Sequence, residues 1–120
     1  MNKTIAVIED AADLATTLVM LLEAEGYVAR SAPDGATGIA LARELGAHVV
    51  LLDYWLPDMT GKEVAEALSA DATEQAPKIL LCTSASEELV RCETPWYHAY
   101  LRKPITRAHL ISTLDATLAG

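Results

Sequence analysis

No part of this 120-residue sequence comes near the ~20 consecutive apolar residues of a bilayer-spanning helix, and its longest uncharged runs are strand-sized. A signal peptide is missing too, because Glu9 and Asp10 arrive before any basic-then-apolar leader could form. Both absences argue against a secreted or membrane protein. Cysteine is scarce: Cys82 and Cys92 make neither a metal-ligand spacing nor a disulfide framework, and read as reduced thiols of a cytoplasmic protein. Positive charge is short as well. Nine Lys and Arg face 17 Asp and Glu, a net charge of −8, which argues against nucleic-acid binding by this chain. There is no linker, low-complexity tract or internal repeat.

What the sequence does have is apolar mass. Hydrophobic residues make up 52% of it, which excludes disorder as a class. One domain of this length, spanning residues 1–120, buries roughly 65–70% of its unfolded surface and needs no staples. The charge surplus is uneven. Residues 86–120 hold four acids (Glu87, Glu88, Glu93, Asp115) and four bases (Arg91, Arg102, Lys103, Arg107), so the whole excess lies in residues 1–85.

Short solid apolar runs alternate with longer helical stripes. Ile5–Ile8 is a solid run; Leu14, Leu18, Leu21 and Leu22 then recur at helical spacing, with Gly26 placed as a C-cap glycine. Tyr27–Ala29 is a weaker strand. Asp34 can cap a helix that runs through Leu45 and stops at Gly46. Ala47–Leu52 is the strongest strand. Thr60 with Glu63 forms a capping box before Val64, Ala67 and Leu68. Pro77 precedes the run Ile79–Cys82, residues 86–92 suit a short helix, and Ala99–Leu101 is a fifth strand. Thr106 can cap a last helix carrying Leu110, Leu114 and Leu118. Five β-α repeats with continuous apolar strands predict an α/β fold: a parallel sheet with helices on both faces. In such sheets the site lies beyond the carboxyl ends of the strands.

The unusual residues collect at that edge. Glu9 and Asp10 follow the first strand, Asp53 the third, Thr83 and Ser84 the fourth, and Lys103 the fifth, just before Pro104. Each alone has an ordinary reading: Asp10 as a helix cap, Thr83 as a turn residue, Lys103 as a surface charge. Together they suggest chemistry. Crowded carboxylates repel one another unless a hard divalent cation such as Mg²⁺ sits among them. A carboxylate can act as nucleophile toward phosphorus, with a lysine and a hydroxyl to hold phosphoryl oxygens. Phosphoryl transfer is mostly positioning and electrostatics, so these groups suffice.

With those residues in place, the sequence resembles the CheY-like receiver domain of two-component response regulators. The matching stretches are Ala6–Asp10, Val49–Gly61 with its Asp53, Pro57 and Gly61, Ile79–Ser84, and Tyr100–Ile105 with Lys103-Pro104. The resemblance covers essentially the whole chain. It implies a doubly wound, flavodoxin-like fold with five parallel strands in the order 2-1-3-4-5. It implies Asp53 as phosphoacceptor and Mg²⁺ held by Glu9, Asp10, Asp53 and the backbone carbonyl of Trp55. Thr83 and Lys103 would bind the phosphoryl group, Thr83 and Tyr100 would form the switch, and Lys103–Pro104 would be cis. The implied partners are a histidine kinase or phosphotransfer protein upstream and a protein partner or effector domain downstream, with no membrane and no nucleic acid bound by this domain. The domain would catalyse only its own phosphorylation and slow dephosphorylation. A stand-alone regulator and one domain of a hybrid kinase or larger regulator both fit.

Several positions depart from the family pattern. Glu9 replaces a more usual Asp, one methylene longer. His48 stands where an acid is common. Pro95 disfavours helix nearby, so the fourth helix is expected to be short or irregular. Trp55 and Ala85, two residues past Asp53 and Thr83, offer little to orient an attacking water, which predicts a long-lived acyl phosphate. Trp96 and Tyr97 read either as a cap on the core beside the short helix or as an exposed patch, the cap slightly favoured. His48, His98 and His109 read as structural or surface residues, and Cys82 as core packing. Two other readings stay open. One is a Mg²⁺-dependent phosphatase with an Asp nucleophile, although Trp55 stands where its general acid would be. The other is a receiver-like interaction module independent of phosphate, against which the intact charged set counts.

Overall fold

The computed structural model describes residues 3–70, 76–91 and 96–119. In chain order the elements are β1 (Thr4–Ile8), α1 (Ala12–Ala24), β2 (Val28–Ala32), α2 (Gly35–Leu45) and β3 (Val49–Leu52). They continue with α3 (Gly61–Ser69), β4 (Lys78–Thr83), α4 (Glu87–Val90), β5 (Ala99–Arg102) and α5 (Arg107–Ala119). The strands form one five-stranded parallel sheet in the order β2-β1-β3-β4-β5, as expected. The two-residue period of a strand divides each central run between two cores. Ile5 and Val7 face α1 and α5, with Leu18, Leu22, Leu110 and Leu114. Ala6 and Ile8 face the other layer, with Leu41, Val64, Leu68 and Val90 from α2, α3 and α4.

Local chemistry sets the helix ends. Asp34 accepts from the Thr37 N–H, Gly46 takes the left-handed conformation (φ 58°), and Thr60 and Glu63 close the expected capping box. Gly26 has φ 94° just past α1. Thr106 accepts from the His109 N–H at 3.1 Å at the start of α5. The N-cap of α1 is Ala11, without a side-chain bond, so Asp10 is not spent as a cap.

Boundaries differ most at β2, β3 and α4. β2 runs over Val28–Ala32 rather than 27–29, because the Tyr27 N–H still bonds the Leu22 carbonyl. It is an edge strand with only Ala29 and Ala32 buried, so it lacks the solid apolar run of the inner strands. Ala47 and His48 fall outside β3, since the Ala47 N–H is taken by the Ala42 carbonyl at the end of α2. α4 lies inside the expected window and is only four residues long. Cys92 and Pro95 lie outside the described residues.

Candidate functional site

Parallel register carries the site residues to one edge. Ile8 pairs with Leu52, so Glu9 and Asp53, the next residues of each chain segment, emerge side by side. The ladder continues one step further: the Glu9 N–H bonds the Ala32 carbonyl, the Asp53 N–H the Ile8 carbonyl, and the Lys103 N–H the Thr83 carbonyl. Their side chains therefore start from fixed backbone. The Lys103–Pro104 peptide is cis, as expected.

Carboxylate oxygens of Glu9, Asp10 and Asp53 all lie within 4.8 Å of one another. Asp10 is exposed, whereas Glu9 and Asp53 are only 4% and 7% exposed. The Lys103 ammonium stands 2.9 Å from Asp53 Oδ2 and also donates to Glu9 Oε1. Glu9 Oε2 is buried with no hydrogen-bond partner. Thr83 is fully buried; its hydroxyl accepts from the Ala85 N–H at 3.2 Å, and it is near enough to Asp53 to favour that residue's ionised form. The Trp55 N–H donates to Asp53 Oδ1 at 3.2 Å.

Burial and crowding separate the two inner acids. Burial pushes Glu9 up to about 7, with the neighbouring Asp53 carboxylate adding to the rise and Lys103 opposing it. Burial pushes Asp53 the same way, but the neighbouring Thr83, Glu9 and Lys103 side chains outweigh it and hold Asp53 below the ordinary carboxylate value. Burial works against the Lys103 charge, yet Glu9 and Asp53 together keep its pKa raised. The result is an ionised, donor-rich Asp53 at the mouth of a negative pocket. An orphaned buried oxygen and three converging carboxylates fit a small oxygen-seeking divalent cation such as Mg²⁺.

The surroundings are equally specific. Gly61 sits so close to the β3–α3 segment that a Cβ there would meet the Asp53 carbonyl at 2.7 Å. Both oxygens of Asp58 accept from the first N–H groups of α2, Gly35 at 2.7 Å and Ala36 at 2.9 Å. The sequence reading missed Asp58, because that contact crosses 23 residues and no local pattern announces it. Tyr100 donates its hydroxyl to the Ala85 carbonyl, which links it through Ala85 to Thr83.

Trp55 is 51% exposed and packs edge-on against Tyr54. Trp96 packs on the core and donates its indole N–H to the Val90 carbonyl at the end of α4, which is the capping role. Rings follow one another from Trp55 through Tyr54, Trp96 and Tyr97 to Tyr100. His48 and His98 sit apart from the site. Each uses Nδ1 to accept a backbone N–H from a neighbouring strand segment, Thr4 at 3.0 Å and Ile79 at 2.9 Å. Cys82 is buried in the α1–α5 core.

Comparison with known proteins agrees with this geometry. A family model described as the response regulator receiver domain matches residues 5–115. Protein PilH of Pseudomonas aeruginosa is 30% identical over 118 residues, covering 97% of this chain and 98% of PilH. The probable transcriptional regulatory protein TcrX of Mycobacterium tuberculosis is 32% identical over 115 residues, covering 96% of this chain but 49% of TcrX. The chain thus spans nearly all of one relative and about half of the other. A solved receiver domain from Methylobacillus flagellatus, described as CheY-like, superposes with a TM-score of 0.86 at 27% identity, covering 98% of this chain and 99% of that one. Among the described residues no helix is long and apolar enough to cross a membrane.

Proposed function

The chain belongs to the response regulator receiver domain family, and from that premise we propose that Asp53 is its phosphoacceptor, charged by a phosphohistidine on a kinase or phosphotransfer partner. The supporting observation is the convergence of Glu9, Asp10 and Asp53 on one pocket with Lys103 bonded to Asp53. In the transfer, an Asp53 carboxylate oxygen attacks phosphorus, the P–N bond breaks, and its electron pair leaves with the imidazole, which takes up a proton. Lys103 and the Thr83 hydroxyl hold two of the phosphoryl oxygens, and the low pKa of Asp53 keeps the nucleophile ionised. Glu9, Asp10, Asp53 and the Trp55 carbonyl would hold Mg²⁺, which when bound offsets the negative charge of the incoming phosphoryl group.

The same contacts supply the switch. Drawing Thr83 toward a phosphoryl oxygen pulls on the Ala85 N–H that it accepts, and the Ala85 carbonyl is the acceptor of Tyr100. Movement at Asp53 is thereby passed to β5 and its neighbours, the face a downstream partner would read. On this reading the domain catalyses its own phosphorylation and slow dephosphorylation and turns over no metabolite. Incubation with a small acyl phosphate and Mg²⁺, followed by intact mass, tests it. A gain of one phosphoryl group is expected, absent from Asp53→Asn and from metal-free samples. A native chain that stays unmodified under every donor and candidate kinase would overturn the assignment.

A further inference from the structure

Glu9 is the one carboxylate of the cluster that touches Lys103 and also keeps a free buried oxygen. Oε1 accepts from the Lys103 ammonium, while Oε2 is enclosed without a partner. The ammonium itself is shared, since it stands 2.9 Å from Asp53 Oδ2. A single positive charge on the fifth strand's loop thus bridges two of the three carboxylates that converge within 4.8 Å. We infer that Glu9 sets the cation affinity of this pocket by clasping Lys103: the Glu9–Lys103 pair and a divalent cation compete for the same carboxylate. The inference rests on the reading of the cluster as a cation site.

The physical argument is one of reach and charge. A cation drawing on Glu9 must take it from Lys103, and must also tolerate an ammonium that the clasp holds beside the pocket. Both effects oppose binding. An aspartate at this position keeps the negative charge but is shorter by one methylene, about 1.5 Å. It leaves Lys103 to Asp53 alone. The longer side chain is therefore a restraint that makes the pocket bind its cation less tightly than its three acids would allow. Lys103 is thereby held next to Asp53 in the resting state.

The experiment is calorimetric titration of Mg²⁺ into the native chain, Glu9→Asp, Lys103→Gln and the double variant, at one pH and ionic strength. Circular dichroism confirms that each is folded, and Lys103→Met replaces the glutamine variant if that one unfolds. Glu9→Asp is expected to bind Mg²⁺ roughly threefold or more tightly than the native chain. In the Lys103→Gln background the same substitution is expected to bring no gain, since the clasp is already gone. Equal or weaker binding by Glu9→Asp, with the native chain still binding Mg²⁺, overturns the inference alone. So does an equal gain in both backgrounds, which would exclude Lys103 as the competitor. No Mg²⁺ binding by any of the four proteins overturns the cation site and the inference together.

Discussion

At the scale of single residues, the site depends on atoms that have no room to move. Gly61→Ala drives a methyl group into the Asp53 carbonyl and the Tyr54 Cα, both backbone and unable to step aside. It is expected to cost about 1–3 kcal/mol, read as a lower urea midpoint, and to slow phosphorylation by displacing Asp53. His98 gives a pH signature. Burial, and then the charge of Lys78, lower its pKa, and only the neutral ring accepts the Ile79 N–H at Nδ1. The unfolded chain takes up that proton near about pH 6.5 while the folded chain resists it. The contribution of His98 is therefore full above that pH and is lost as pH falls toward the folded pKa. Glu9, raised to about 7, acts with the opposite slope in cation-free buffer. The quantity to read is thus the difference between the stability profiles of the native chain and His98→Gln; identical profiles would assign the acid loss elsewhere. Hydrolysis belongs to this scale too. Trp55 is half in solvent, and the Ala85 carbonyl is taken by Tyr100, so neither residue is placed to orient a water. A phosphoryl group that survives on Asp53 well beyond seconds is expected when its loss is followed by mass.

Helices and strands carry a different kind of information. The helix ends were legible because capping is local: Asp34, Gly46, Thr60 with Glu63, and Thr106 each act within four residues of themselves. Thr60→Ala removes the bond from the Glu63 N–H to the Thr60 hydroxyl while leaving the Thr60 N–H on Glu63, and is expected to cost about 1 kcal/mol in equilibrium unfolding, with phosphorylation little changed. The strand limits were less legible. Tyr27 and Ala47 look like strand residues by composition but are held by helix carbonyls, and the edge strand β2 has no reason to be apolar on its outer face. Four-residue α4 is closed by a ring from outside it. Trp96 stacks against the core and bonds the last helical carbonyl, that of Val90. Trp96→Ala is expected to cost about 2 kcal/mol, less than for a fully buried indole because Trp96 is half-buried. A variant that keeps its melting temperature but loses a binding partner would instead make this residue part of an interface.

On the scale of the molecule, the fold was legible because solid runs alternate with stripes, and the site because its members stand at the ends of the first, third, fourth and fifth strands. What the order of residues cannot carry is who bonds whom across the edge. Lys103 is divided between Glu9 and Asp53, Asp58 spans to α2, and two histidines complete strand ladders; all of these link segments far apart in sequence. Net charge adds a global expectation. A pocket of three acids in a chain of net charge −8 should be relieved by its cation. At a Mg²⁺ concentration 100 times its dissociation constant the folded state gains about 2.7 kcal/mol, seen as a higher melting temperature that a chelator reverses. The file of rings from Trp55 to Tyr100 has a practical consequence. The chain contains no phenylalanine, and of its six aromatic residues only Tyr27 lies outside that file. Nearly all of its near-ultraviolet absorption and all of its indole emission thus originate in one file of rings that starts at the two residues following Asp53. The protein carries a built-in optical reporter of its own signalling edge, without an attached dye.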